Sequence, residues 1–107
     1  MKPSRGEDDN VTAASVLDRV IHEPARLSIL SVLCAFETAD FIFLLKQTEL
    51  SRGNLSSHLS KLESAGYIDI TKEFVEKVPR TLIRLTDKGR DAIAIYRTDM
   101  DRILRSL

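Results

Sequence analysis

One cysteine, Cys34, and two histidines, His22 and His58, are all the thiol and imidazole that the chain carries. A lone thiol builds no disulfide framework and no cysteine metal cluster, so a reducing, cytoplasmic setting is expected. Cys34 lies in the apolar run "LSILSVLCAF" and reads as a small core residue. His58 has no second histidine, cysteine or carboxylate at ligand spacing beside it, so neither a metal nor a cofactor is expected. No nucleophile–base pair and no glycine-rich phosphate loop is evident, which argues against an enzyme. No apolar run is long enough to cross a bilayer, and a membrane partner is not expected. The opening "MKPSRGEDDN" lacks the apolar centre of a signal peptide, and residues 1–10 read as a disordered tail. Neither internal repeats nor low-complexity tracts occur.

Charge of one sign is missing too: sixteen Lys/Arg balance sixteen Asp/Glu over 107 residues. The distribution is uneven, however. Residues 1–50 hold five basic and eight acidic side chains, whereas residues 51–90 hold eight and five. Positive charge therefore collects in the second half, where a polyanion would be met.

What is present is a single domain's worth of patterned sequence, residues 11–107, with one core. Val16, Leu17, Val20 and Ile21 predict a short helix from Thr12 to His22. Pro24 suits the first turn of a second, central helix ending near Phe36. Asp40 as a cap and the polar "KQTE" favour a short helix over Phe41–Thr48, leaving Ile42 and Phe43 partly exposed. Ser51 caps the next helix, 52–65, whose Leu55, Leu59 and Leu62 mark the packed side and which Gly66 ends. "YIDITKEF" and "RTLIRLT" alternate as strands, "VEKVP" links them, and Pro79 falls at the edge. Thr86 then caps a last helix running from Asp87 to about Leu104.

The leucines of helix 52–65 turn Gly53, Asn54, Ser57, Ser60, Lys61 and Ser64 outward. A small polar face of this kind lets a helix enter a DNA major groove closely. Asn54 can read adenine, Ser56 and Ser57 can meet bases or phosphates, and Arg52 can pair with guanine or phosphate. The helix start at Ser51 adds partial positive charge.

"LSRGNLSSHLSKLESAGYIDI", followed by "KVPRTLIRLTDKGRDAI", resembles the short MarR/ArsR-type winged-helix transcriptional regulators. The resemblance rests on Leu50, Ser51, Asn54, Leu55, Ser56, His58, Leu59, Leu62, Glu63, Gly66 and Tyr67, then Pro79, Arg80, Thr81, Leu85, Thr86 and Gly89, and spans roughly 23–96. It implies a mainly α fold with a small β-hairpin, a winged helix-turn-helix extended by N- and C-terminal helices. It further implies double-stranded DNA as partner, with the wing, 72–84, along the backbone or in the minor groove. Lys77, Arg80 and Thr81 near its tip are the expected phosphate contacts, with Arg84 behind them. Val78 stands where relatives often carry another basic residue.

Ile93, Tyr96, Met100, Ile103 and Leu107 recur at 3, 4, 3, 4 spacing, an a/d seam suited to a homodimer over residues 87–107, the alternative being a helix folded back on its own core. Leu17, Val20 and Ile21 are expected to join it. The metal-sensing cysteine pair of ArsR-type relatives has no counterpart, so a signal would come through a partner protein, a small effector at the dimer interface, or expression level alone. The alternative reading is a winged-helix protein-interaction module without DNA affinity.

Overall fold

In the computed structural model, which describes residues 17–107, four polar side chains decide where the helices begin. Glu23 accepts the Arg26 amide (2.8 Å) ahead of α1 (Pro24–Phe36). Asp40 accepts the Phe43 amide (2.7 Å) ahead of α2 (Phe41–Thr48). Ser51 accepts the Asn54 amide (3.1 Å) ahead of α3 (Arg52–Ser64), and Thr86 the Gly89 amide (3.0 Å) ahead of α4 (Asp87–Arg105). Each cap satisfies an N–H that the helix itself leaves unpaired. At the other end of α3, Gly66 (φ 82°) lets its own amide reach Glu63 and that of Tyr67 reach Leu62, closing the last turn.

The two long strands, β2 (Ile68–Val75) and β3 (Val78–Leu85), form the expected hairpin, but its connection is shorter than "VEKVP". Only Glu76 and Lys77 turn the chain, both at positive φ (52° and 69°). Such a two-residue turn favours Asn and Gly; a side chain in this region costs roughly 1 kcal/mol. A third strand, β1 (Thr38–Asp40), which no sequence signal marks, pairs antiparallel with β3, giving the order β1-β3-β2. It spans only Leu82–Arg84 of β3, so Pro79 lies where the outer edge needs no donor.

α1 is the centre of the molecule and packs on α2, α3, β1 and β3. Its Ile29, Leu30 and Leu33 meet Leu44 of α2, Leu55, Leu59 and Leu62 of α3, and Ile68, Ile83 and Leu85 of the sheet. The result is a winged helix with a three-stranded sheet.

The expected tail, residues 1–10, and residues 12–16 of the expected first helix lie outside the described residues. The remainder of that helix is corrected: residues 17–22 form a turn. One oxygen of Asp18 accepts the amides of Val20 (2.8 Å) and Ile21 (3.2 Å), diverting them from a helical ladder. Its other oxygen accepts the Tyr67 hydroxyl. Burial, reinforced by this carboxylate, pushes the Tyr67 phenol up to about 12. His22 Nδ1 and the Tyr96 hydroxyl are hydrogen-bonded at 2.7 Å, tying the same segment to α4.

Candidate nucleic-acid interface

Three residues, 49–51, separate α2 from α3, and the turn closes because Glu49 adopts the left-handed conformation (φ 58°). Leu55, Leu59 and Leu62 then hold one side of α3 in the core, and Arg52, Gly53, Asn54, Ser56, Ser57, Ser60 and Lys61 are exposed. Ser51 is exposed as well, with its oxygen engaged in the cap. A Cβ at Gly53 would meet nothing within 4 Å, so packing within the chain does not call for glycine there. Its presence in a first helical turn costs about 1 kcal/mol relative to alanine. Arg52 lies over the Phe41 ring, 5.9 Å from its centre.

The sheet has two unlike faces, because successive side chains alternate. One face continues the core: Ile68, Ile70, Lys72 and Phe74 of β2 stand opposite Leu85, Ile83, Thr81 and Pro79 of β3. A cleft of about 380 Å³ separates this face from α3, with Arg52, Ser56 and Ser60 on one wall and Ile70, Lys72 and Thr81 on the other. Arg80 and Arg84 belong to the reverse face. There Arg80 is paired with Asp40 (2.8 Å) and Arg84 with Asp69 (3.2 Å). Arg80 and Arg84, expected as phosphate contacts of the wing, thus lie on the sheet face turned away from α3. Lys72 stands on the face towards α3, and alternation outward from Ile70 is the signal that identifies it. Lys77 sits exposed in the two-residue turn.

On the other flank of α3, Arg19 and Lys61 line a shallow hollow with Arg26, Ser60 and Ser64. Arg19, in the turn before α1, carried no sequence signal. Arg26 itself is buried at 8% exposure and reaches three ways. Its guanidinium donates to the carbonyls of Val20 and Arg19 and to His58 Nδ1 (3.1 Å). His58 is thus a brace between α3 and α1 rather than a reading residue. Glu23 lies 3.9 Å from the same imidazole. The Arg26 amide donated to the Glu23 carboxylate, helped by the nearby Arg26 guanidinium, holds it below the ordinary carboxylate value.

The expected dimer seam divides. Leu17, Ile21 and Tyr96 are buried in the chain's own core, so they are no free surface. Val20, Ile93, Met100 and Ile103 are half-buried against that core, and Leu107 is exposed. Ile95 and Leu104 add apolar surface on α4. Cys34, expected in the core, is exposed on α1, because that helix is apolar over most of its circumference and only contacts select its inner side. Phe43 is half-buried edge-on to Phe36 (ring centres 5.1 Å apart), while Ile42 is exposed.

Residues 25–104 match the family model described as "Winged helix DNA-binding domain". An uncharacterised protein of Methanocaldococcus jannaschii is 33% identical over 78 residues, which cover 73% of this chain and 85% of that protein. A transcriptional regulator homologue from Pyrococcus horikoshii has a similar structure, with a TM-score of 0.83 and 24% identity over 92% of this chain and 96% of that one. A MarR family transcriptional regulator from Silicibacter pomeroyi shares the fold at a TM-score of 0.59 and 18% identity, over 95% of this chain and 70% of its own. The fold is thus that of a known architecture, and the chain belongs to the winged helix DNA-binding domain family.

Proposed function

We propose that the chain is a sequence-specific regulator of transcription that binds double-stranded DNA as a homodimer, with α3 in the major groove and the wing on the adjoining backbone or minor groove. The observation that carries this reading is the cleft whose walls join α3 to Lys72 and Thr81. Gly53, which the fold does not require, supports it by letting a duplex approach the first turn of α3. Asn54 and Ser57 read base edges; Arg52 meets guanine or phosphate. Lys72 and Lys77 on one flank, and Lys61 and Arg19 on the other, neutralise phosphates and set the register. The half-buried and exposed apolar residues of α4, from Ile93 to Leu107, are covered by a second copy. A dimer so formed addresses two half-sites about 34–36 Å apart. A small effector or partner protein acting at that interface supplies the signal.

Selection from a randomised duplex pool, with the winners retested across a salt series, examines this reading. A two-fold symmetric site whose affinity falls steeply with salt is the expected result. No enrichment, together with a flat salt response, overturns it in favour of a protein-interaction module.

Two substitutions refine the assignment. Asn54→Ala relaxes preference at one base pair per half-site and leaves thermal stability unchanged; an unaltered selected site removes Asn54 from the reading set. Lys72→Ala flattens the salt slope by about one unit per subunit. Arg80→Ala and Arg84→Ala, already paired on the reverse face, leave the slope nearly unchanged. The opposite pattern would mean that the reverse face of the sheet meets DNA.

A further inference from the structure

The wing ends in apolar side chains. Phe74 is 76% exposed, its cross-strand neighbour is Pro79, and Val75 and Val78, beside the turn, are also exposed. Attraction of Lys77 to phosphate does not account for the apolar side chains beside it. Nor does the packing of the described residues account for Phe74, which they leave uncovered. Its position is nonetheless specific. Phe74 stands on the same sheet face as Ile70 and Lys72, the face that walls the cleft with α3. It lies two residues beyond Lys72, roughly 7 Å further along the strand.

We infer that Phe74, backed by Pro79, is a wedge that enters the minor groove beside the major groove occupied by α3 and opens a base step there. The inference rests on the DNA-binding reading and extends it from contact to deformation. The occupant is a DNA duplex because the apolar pair is the next cross-strand pair on that face after Lys72 and Thr81, which wall the cleft, and is bracketed by cations, Lys72 behind it on the same face and Lys77 in the turn. A ring of this size stacks on a base and matches the dry edge of an unstacked step, whereas a hydrated phosphate gives it nothing. Because Glu76 and Lys77 form a tight two-residue turn, the two rings are carried on paired strands rather than on a loose loop. The deformation is easiest at flexible pyrimidine–purine steps, so such a step flanks each half-site at the wing's position.

The test uses the selected duplex, labelled at its ends for energy transfer and carrying 2-aminopurine at successive flanking steps. Wild-type protein shortens the end-to-end distance and brightens the probe at one step per half-site. Phe74→Ala leaves the duplex straight and the probe quenched, and binds about tenfold more weakly with an unchanged half-site preference. Phe74→Leu, which keeps an apolar wedge, retains the bend. A duplex that stays straight with wild type, or bends equally with Phe74→Ala, overturns the wedge while leaving DNA binding intact. A change in oligomeric state on Phe74→Ala assigns the tip to a second copy and overturns the wedge as well. Failure of the wild type to bind any duplex removes the underlying reading and the wedge together.

Discussion

Gly89→Ala unfolds at markedly lower denaturant, with a loss of about 3 kcal/mol, although alanine is the better helix former. A Cβ on Gly89 falls 2.3 Å from the carbonyl oxygen of Tyr67 and 3.0 Å from Leu85 Cδ1. Neither neighbour is free to retreat. The Tyr67 carbonyl accepts the Thr86 amide (3.0 Å), and the Tyr67 amide is committed to Leu62 at the end of α3. The Thr86 hydroxyl donates to the Gly66 carbonyl (2.7 Å), so the start of α4 is bolted to the end of α3 from both sides. Relief therefore requires α4 to move away and break these bonds. Gly53→Ala is the control, because open space surrounds that position; it gains up to about 1 kcal/mol from helix propensity. Urea unfolding of both variants decides the matter. Equal stabilisation by the two alanines would mean that the contact of α4 with Tyr67 is loose.

The second large effect is expected at Arg26. Arg26→Ala loses about 3 kcal/mol, because it strips a buried cation from several acceptors at once. The carbonyls of Val20 and Arg19 and the imidazole of His58 each lose a donor, and all three are at least partly buried. Arg26→Lys restores less than half of the loss, since one ammonium cannot replace a planar fork that bonds in three directions. Amide exchange at Val20 and Ile21 accelerates in both variants as the turn over residues 17–22 comes loose. A loss below about 1 kcal/mol, with those amides still protected, would show that Asp18–Tyr67 and His22–Tyr96 anchor the segment without Arg26. DNA affinity falls in parallel in Arg26→Ala, since His58 braces α3 through this side chain.

Much of this molecule could be read from the chain, wherever the governing interaction is local. Asp40, Ser51 and Thr86 act on amides three residues away, and the leucines of α3 repeat at the period of the helix they build. Gly66 ends α3 through bonds within its last turn. Those short-range rules set the helix boundaries, the order of elements and the outward polar side of α3. Alternation along the hairpin also separates its two faces. Ile70 and Ile83 mark the inner face, so Lys72 and Thr81 share it while Arg80 and Arg84 do not.

Contacts between distant residues decided the rest. β1 is three residues long and exists because Arg84 and its neighbours, over forty residues away, offer it an edge. Cys34 sits on an all-round apolar helix, where only the arrival of the sheet and α3 selects an inner side. Residues 17–22 carry a helical pattern, yet Asp18 takes their amides and Tyr67, His22 and Tyr96 fix the turn against α3 and α4. By itself the sequence determined the order of the elements and the outward polar side of α3, because periodicity and capping act over a few residues. Which cations border that helix, and where Phe74 is carried, was left to tertiary structure, because both depend on which sheet face meets α3.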